Sequence, residues 1–256
     1  MLDDHELELF SRQLILDDFT IDQQQRLKDS TVLVAGVGGL GCAVSTYLAA
    51  VGVGELRLVD HDVVELSNLQ RQTLYGDSDL GLPKAQVAKR QLDARYSHCK
   101  VGAVTGLIDD VTSISLTGGV DVVADCSDDF SCRYALNRAC LARTIPLVSA
   151  AAVRGEGQLT TFPSDRVGPC YRCLYPDERE GTGPGCSQSG VVGPVVGVFG
   201  ALQSLEVVKV LTGWGENLTG VLLLHNLKHF EFHRLSIARD PNCPDCAPLP
   251  YSGNTC

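Results

Sequence analysis

The 256-residue sequence has a single methionine and a single tryptophan, and it lacks any excess of basic residues. Its 21 Lys and Arg side chains face 31 Asp and Glu side chains, which gives a formal net charge of −10. Nonspecific binding to nucleic acid or to an anionic membrane surface needs positive charge. The charge balance therefore argues against both kinds of partner, although it allows a local basic pocket.

The sequence also lacks an uninterrupted apolar run of membrane-spanning length. The longest run, Val191 to Leu202, contains Pro194 and is shorter than the roughly 20 apolar residues that a spanning helix needs. A buried helix is the expected structure there. The acidic segment from Met1 to Glu6 carries no apolar stretch, so no secretory signal is predicted at that end.

Cysteine is abundant, but the eleven cysteines do not form the even set of a disulfide scaffold. Reduced thiols and a cytoplasmic location are therefore expected. Two hairpin-like CxxC pairs, Cys170–Cys173 and Cys243–Cys246, offer the four thiolates of a tetrahedral zinc site. Since four protein ligands leave no open position, the zinc is expected to be structural. A redox dithiol and ordinary core thiols are the alternatives.

Strand-like apolar runs alternate with helical segments between residues 31 and 150, which predicts an α/β fold with a doubly wound, Rossmann-like parallel sheet. Further runs after residue 150 predict that this sheet continues into an antiparallel region. Residues 5–29 are typical of an N-terminal helical arm, and the polar segment 61–82 of a long functional loop. The strands are predicted at 31–36, 55–60, 101–105, 120–125, 145–150, 157–162, 220–225 and 230–235, and the helices at 40–51, 83–95, 130–143 and 194–212.

A glycine-rich loop connects the first predicted strand to its helix, with the sequence Gly36-Val37-Gly38-Gly39-Leu40-Gly41. Residues without a Cβ let the backbone approach a phosphate, and the helix N-terminus supplies N–H donors. Asp60 ends the next strand, where a carboxylate can accept hydrogen bonds from ribose hydroxyls. These features predict a dinucleotide site as readily as an ATP site. A tight turn that binds nothing is the alternative.

Two cations near the glycine loop favour ATP. Arg71 lies in the segment Ser67-Asn68-Leu69-Gln70-Arg71-Gln72, and Lys84 follows shortly after it. Nucleotidyl transfer needs cations because negative charge builds on the α-phosphate and on the departing pyrophosphate. A nicotinamide enzyme has little use for them unless it binds a phosphate on the ribose. Solvated surface charges are the bland alternative.

Taken in order, the motifs GxGGxG, SNLQRQ, PK and DCSD resemble the ThiF/MoeB family of ubiquitin-activating-enzyme-like sulfur-carrier adenylyltransferases. The resemblance runs from Ser11-Arg12-Gln13 to Cys246, and the segments 170–177 and 190–198 look closer to ThiF than to MoeB. It implies one adenylation domain over residues 1–256. Within it, residues 1–29 would form the helical arm, 30–165 the nucleotide-binding part and 166–256 the zinc-stapled carrier-binding part.

The resemblance also implies roles for individual residues. Asp128 would hold Mg²⁺ on the triphosphate, and Arg71 and Lys84 would neutralise the phosphates. Asp60 would bind the ribose. The full set of implied nucleotide contacts is Gly36, Gly38, Gly39, Gly41, Asp60, Ser67, Asn68, Arg71, Gln72, Lys84, Asp128 and Asp129.

Two more residues acquire roles only through the resemblance. Arg12, in the arm, would reach the active site of the other subunit of a homodimer. Cys186 matches the loop cysteine that links covalently to the carrier in some members, where its thiolate acts as nucleophile; an unused loop cysteine is the alternative. Asp129 and Asn226 depart from the family, which has Asn and Asp at these positions and so leaves the metal and carrier contacts there in doubt.

The function that the resemblance implies is ATP-dependent activation of the C-terminal Gly-Gly carboxylate of a ubiquitin-like sulfur carrier, with release of pyrophosphate. Thiamine synthesis is the first choice of pathway and activation of the small molybdopterin synthase subunit the second. A separate cysteine desulfurase or rhodanese-like protein would donate the sulfur. An NAD-dependent oxidoreductase is a weaker alternative, because it leaves Arg71, Lys84 and the paired cysteines unexplained. A non-catalytic docking protein of the same fold is the third.

Overall fold

The computed structural model of the chain describes residues 1–176 and 190–247. The predicted N-terminal arm consists of three short helices, α1 (Asp4–Leu9), α2 (Ser11–Leu14) and α3 (Ile21–Asp29). Helix α3 begins with a capping box, in which the Thr20 hydroxyl accepts a hydrogen bond from the Gln23 N–H and the Gln23 side chain accepts one from the Thr20 N–H. The segment is thus largely helical, as the apolar spacing predicts.

The strands and helices that follow agree with the predicted alternation to within a few residues. They are β1 (Thr31–Ala35), α4 (Gly39–Val51), β2 (Glu55–Asp60), α5 (Lys84–Asp93), β3 (Lys100–Thr105), α6 (Thr112–Leu116), β4 (Val122–Asp125), α7 (Phe130–Arg143), β5 (Leu147–Val153), β6 (Glu156–Phe162), α8 (Tyr171–Leu174), α9 (Gly193–Thr212), β7 (Val221–Asn226) and β8 (Glu231–Ser236). The predicted loop 61–82 carries two short 3₁₀ turns, Leu66–Asn68 and Asp77–Asp79.

Three local details differ from the prediction. Helices α6 and α8 were not anticipated, because five and four residues are too few to show a helical period. Pro83 precedes α5 instead of opening it. Cys170 caps α8 and Cys173 lies inside that helix, so the first CxxC pair sits on a helical turn and not in a hairpin.

Within the described part of the chain, the sheet has eight strands in the order β3-β2-β1-β4-β5-β6-β7-β8. The pairs from β3 to β5 are parallel and those from β5 to β8 are antiparallel. The doubly wound sheet with an antiparallel extension is therefore confirmed. Because the chain order reverses between β1 and β4, a crevice opens at the carboxyl ends of these two strands, where ligands bind in sheets of this kind.

The sheet is buried on both faces, as strand β1 illustrates. Val32 and Val34 pack into a core with α4, α5 and α9, whereas Leu33 and Ala35 pack into a second core with α7. Successive side chains of a strand point to opposite faces, and a parallel strand covered on both sides reads as a continuous apolar run. This is why residues 31–36 show no polar alternation in the sequence.

Helix α9 is long and apolar enough to cross a membrane by length and composition alone. Half of its most apolar stretch is buried inside the fold, where the helix packs against α4, β5 and β6. The expected buried helix is thus present. The same helix reaches the switch-point crevice, since Val196 near its N-terminus lines the cavity described next.

Candidate active site

A cavity of about 480 Å³ opens at the carboxyl ends of β1, β2 and β4. It brings together eleven of the twelve predicted nucleotide contacts, namely Gly36, Gly38, Gly39, Asp60, Ser67, Asn68, Arg71, Gln72, Lys84, Asp128 and Asp129. These residues come from three connections between a strand and the next helix, namely those that follow β1, β2 and β4. The twelfth, Gly41, does not line the cavity, and neither does Arg12.

The glycine loop closes the floor of the cavity. Gly36 has a φ of +86°, and a Cβ on Gly41 would lie 2.0 Å from the Gly36 carbonyl oxygen. Gly41 is therefore required for packing of the loop against α4, whereas Gly38 and Gly39 face the cavity. Among the residues that the structure describes, no side chain caps the N-terminus of α4, whose N-cap is Gly38. The N–H groups of its first turn can thus donate to a phosphate.

Asp60, predicted to hold the ribose, also holds the loops together. Its Oδ2 accepts a hydrogen bond from the Val37 N–H at 2.7 Å, and its Oδ1 accepts one from the Asp62 N–H at 2.8 Å. Burial raises the pKa of this carboxyl, and the two N–H donors work against that rise. A carboxylate can accept several hydrogen bonds, so these two leave acceptor capacity for a ligand.

The two predicted cations differ in their surroundings. Lys84 is buried, and its Nζ forms a 2.8 Å ion pair with Asp62 Oδ2. Arg71 is half-buried, and its Nη1 donates to the Ser67 carbonyl at 2.8 Å. Both side chains line the cavity, so positive charge faces a space that could take an anionic ligand. Asp62, which the sequence analysis did not single out, partly neutralises that charge.

Gln72 and Asn68 lie beside the cations and are buried. The Asn68 carboxamide oxygen accepts from the Glu65 N–H at 3.1 Å, which shapes the turn that precedes Arg71. Gln72 Oε1 is buried, and no hydrogen-bond donor reaches it from the described residues. An unpartnered carboxamide in a cavity wall suits contact with a bound ligand.

Asp128 and Asp129 follow β4 but behave differently. Asp129 caps α7 by accepting a hydrogen bond from the Cys132 N–H at 2.9 Å. Partial burial opposes its ionisation, yet the bonds from Ser131 and Cys132 hold its pKa below the usual value. Asp128 is exposed at the cavity mouth, and within residues 1–176 and 190–247 it makes no hydrogen bond or ion pair. Asp128 thus offers both carboxylate oxygens to a cation.

The second predicted site, the four cysteines, is also assembled by the fold. Their Sγ atoms all lie within 4.8 Å of one another, with distances of 3.9 Å (170–173), 3.6 Å (170–243) and 3.5 Å (173–246). A tetrahedral Zn²⁺ with bonds of 2.3 Å separates its sulfur ligands by about 3.8 Å. The cluster could therefore bind zinc.

Hydrogen bonds surround these sulfur atoms. Asn137 on α7 donates through Nδ2 to Cys170 Sγ at 3.7 Å and to Asp245 Oδ2 at 2.9 Å. Its Oδ1 accepts from the Tyr171 N–H at 2.9 Å, and the Asp240 N–H donates to Cys173 Sγ at 3.4 Å. Polar groups that fix ligand orientation in this way typify protein metal sites.

Three other predicted or doubtful residues lie away from the cavity or beyond what is described. Arg12 is exposed on α2. Cys186 falls outside the described residues. Asn226 ends β7, where its Nδ2 donates to Glu156 Oε1 at 3.2 Å, and it does not line the cavity.

Sequence reasoning missed Asp62 and Arg133, which both line the cavity. Arg133 belongs to the first turn of the helix that follows a switch-point strand. That position was a usable signal, because such turns face the ligand crevice. Asp62 gave a weaker signal, since an Asp in a polar loop is ordinarily a solvated side chain.

The chain resembles known proteins over almost its whole length. The ThiF family profile matches residues 10–245. The molybdopterin-synthase adenylyltransferase of Escherichia coli (strain K12) is 43% identical over 245 residues, which make up 96% of this chain and 98% of that protein. The adenylyltransferase and sulfurtransferase MOCS3 of Drosophila persimilis is 42% identical over 243 residues, or 94% of this chain and 54% of MOCS3. The chain thus spans about half of MOCS3.

Solved structures share the fold. Escherichia coli MccB in its crystal structure with ATP has a TM-score of 0.75 and 27% identity, over 88% of this chain and 69% of MccB. PaaA has a TM-score of 0.80 over 93% of this chain and 76% of PaaA, and its 24% identity makes this a likeness of fold alone. By the match over residues 10–245 and the identity to these relatives, the chain belongs to the ThiF family, and its activity is that of an adenylyltransferase.

Proposed function

We propose that this adenylyltransferase activates the C-terminal Gly-Gly carboxylate of the small, ubiquitin-like subunit of molybdopterin synthase. The relatives that carry a pathway name support this alternative better than thiamine synthesis, which the sequence analysis ranked first. The carrier carboxylate attacks the α-phosphorus of ATP, an acyl-adenylate forms, and pyrophosphate leaves. The observation that carries the proposal is the cavity that gathers the glycine loop, Arg71, Lys84 and Asp128 at the switch point.

The protein's part in this reaction is alignment and charge stabilisation. The N–H groups at the start of α4 and the cations Arg71 and Lys84 face the phosphates, while Asp60 faces the ribose. The exposed and unpartnered carboxylate of Asp128 fits a hard cation such as Mg²⁺, which prefers oxygen ligands. When bound, Mg²⁺ would neutralise triphosphate charge.

Zinc is proposed as the occupant of the four-cysteine cluster, with a structural role. The spacing of the sulfur atoms supports this. The sequence separation supports it as well, because Cys170 and Cys243 lie 73 residues apart in the chain while their Sγ atoms are 3.6 Å apart, so a shared ion would join distant segments. None of the cysteines in the described part forms a disulfide, which agrees with the proposed cytoplasmic location.

A homodimer is proposed, with Arg12 of one subunit completing the site of the other. The exposed apolar side chains of the arm support it, since Leu9, Ile15 and Leu16 are 46%, 70% and 45% exposed beside Arg12. The Cys186 thiolate is proposed to attack the carbonyl carbon of the acyl-adenylate, which breaks the bond to the adenylate phosphate, releases AMP and leaves the carrier bound as a thioester adduct. Its substitution Cys186→Ser should leave adenylation intact and abolish the adduct, as read by non-reducing electrophoresis and mass spectrometry.

Exchange of labelled pyrophosphate into ATP tests the function directly. We expect exchange with the molybdopterin synthase subunit, at least about 10²-fold less for Asp128→Ala, and a strong reduction for Arg71→Ala. Asp93→Ala is the matched control, because Asp93 is an exposed carboxylate paired with Lys89 on α5, outside the cavity. Its exchange should equal that of the wild type.

The choice of carrier distinguishes the remaining alternatives. Exchange that responds only to a thiamine-pathway carrier would return the pathway to the first choice of the sequence analysis. A protein that binds carriers but supports no exchange with any Gly-Gly carrier would contradict adenylation and favour a docking role.

A further inference from the structure

The residue that precedes Asp128 is held at each of its polar groups. Ser127 donates to Asp125 Oδ1 through its backbone N–H at 3.1 Å and through its hydroxyl at 2.6 Å. Its carbonyl oxygen accepts a hydrogen bond from Arg133 Nη2 at 2.5 Å. The turn that carries Asp128 is thus fixed one residue before the exposed carboxylate.

The two residues that hold Ser127 form a buried ion pair. Arg133 Nε lies 3.7 Å from Asp125 Oδ2, and the two side chains are 7% and 0% exposed. Burial works against the charge of Arg133, but Asp125 keeps its pKa above the usual value, so the arginine is ionised. Buried ion pairs of this kind contribute little net stability, because desolvation offsets their attraction. The main effect of this pair is therefore on geometry, because it fixes the backbone of the turn at Ser127.

Neighbouring elements anchor the pair in turn. Ser149 on β5 donates to Asp125 Oδ2 at 2.7 Å, and Gln203 on α9 donates to the Asp125 carbonyl at 2.8 Å. Arg133 lies in the first turn of α7 and lines the cavity, four residues after the cap Asp129. The end of β4, together with β5, α9 and the first turn of α7, therefore fixes the turn at Ser127.

We propose that the Asp125–Arg133 pair is the positioning device for Asp128. By fixing Ser127, it aims the Asp128 carboxylate into the cavity as a ready-made ligand for the Mg²⁺ that accompanies the nucleotide. The inference rests on the proposed function, because that function assigns Mg²⁺ to Asp128. Arg133 is a positioning residue here, since it acts on the cation through Ser127 and Asp128.

Binding of a non-hydrolysable ATP analogue, measured calorimetrically at increasing Mg²⁺, tests the inference. Arg133→Lys keeps the charge but loses the planar fork that reaches both Asp125 and Ser127. We expect its apparent Mg²⁺ affinity to fall about tenfold, as for loss of a group that orients a metal ligand. Analogue affinity without Mg²⁺ should stay within about twofold of the wild type, a split that a general loss of structure would not produce.

The double variant Asp125→Asn/Arg133→Met removes both buried charges, so no unpaired charge remains to unfold the protein. It should show the same loss of Mg²⁺ affinity, with unchanged cooperative thermal unfolding. Arg138→Lys is the control, since Arg138 lies on the same helix in an exposed ion pair with Asp110. It should bind Mg²⁺ and analogue like the wild type.

The results separate this inference from the function on which it rests. If the wild type responds to Mg²⁺ and the folded Arg133 variants respond equally well, the positioning role is overturned and the function stands. If the variants lose analogue affinity without Mg²⁺ by the same factor, Arg133 contacts the nucleotide directly and the positioning role is again wrong. If nucleotide binding by the wild type ignores Mg²⁺, the assignment of the cation to Asp128 fails first.

Discussion

The nucleotide cavity and the four-cysteine cluster are built in opposite ways. The cavity draws its polar groups from the connections that follow β1, β2 and β4, and several of these groups have local partners, as in the ion pair of Lys84 with Asp62. The cluster draws its ligands from two short segments. The Sγ atoms of the pairs 170–173, 170–243 and 173–246 lie 3.5–3.9 Å apart. A site that exchanges ligands needs partners for its charges in both states. A site that keeps one ion permanently needs no other partner for its ligands, because the ion itself balances their charge.

This contrast predicts that substitutions in the two regions separate two measurable quantities. Changes in the cavity should alter turnover and leave the free energy of unfolding nearly intact, because its side chains lie on loops around a preformed crevice. Changes in the cluster should alter the free energy of unfolding, because the segment around Cys170 and the segment around Cys243 meet at the sulfur atoms, at Asn137 and at the ion pair of Arg172 with Asp245.

Loss of the proposed zinc should produce the largest effect. Cys243→Ser removes one buried ligand, and the free energy that zinc binding would contribute to folding is lost with it. We expect destabilisation above about 4 kcal/mol, measured by urea unfolding, together with loss of zinc measured by mass spectrometry. Cys140→Ser is the matched control, as Cys140 is buried but outside the cluster. If Cys243→Ser and Cys140→Ser have the same free energy of unfolding, the proposed structural role of zinc is contradicted.

Lys84→Ala should produce the next largest effect, on the opposite quantity. Losing the buried cation removes charge stabilisation from the phosphates in the transition state, so pyrophosphate exchange should fall by about 10²-fold. The midpoint of thermal unfolding should move little, because the partner Asp62 is 52% exposed and water replaces the lost ion pair. Lys89→Ala, which breaks an exposed pair on the same helix, is the control. Equal loss of exchange in both variants would refute a specific role for Lys84.

How far the sequence could predict these two sites follows from the distance over which each contact acts. The strand runs and the CxxC spacing are local patterns, so the sheet and the cysteine cluster were both foreseeable. Lys84 and Asp62 pair across 22 residues of the single connection between β2 and α5, and Arg133 and Asp125 pair where the first turn of α7 folds back on the end of β4. Neither spacing follows the period of a helix or a strand, so no local pattern encodes either pair. Asp129 shows a third case. Its position before a helix signals a cap, whereas the family resemblance implies a nucleotide contact for the same residue.

Asn137 tests the boundary between the two regions, because α7 carries it one turn beyond Arg133. Asn137→Asp keeps the acceptor for the Tyr171 N–H but places a carboxylate against Asp245 and Cys170 Sγ. We expect faster zinc loss to a chelator and destabilisation of about 2 kcal/mol, since donors are lost and like charges face each other. Asn137→Ala, which lacks the repulsion, should lie between this variant and the wild type. If the aspartate variant holds zinc as tightly as the wild type, Asn137 does not orient the cluster.

Asp62→Asn should have the smallest effect and the opposite sign. The carboxylate of Asp62 competes with a triphosphate for Lys84, and asparagine keeps an acceptor oxygen while removing that charge. We expect ATP to bind about threefold more tightly at low salt, because the 52% exposed carboxylate of Asp62 is screened by water and its ion pair with Lys84 is modest in strength. The gain should shrink as the salt concentration rises. The measurement is ATP titration at two ionic strengths, with Asp93→Asn as control. Weaker ATP binding would show that Asp62 holds Lys84 in place for the phosphates, and the cavity would then be as preorganised as the cysteine cluster.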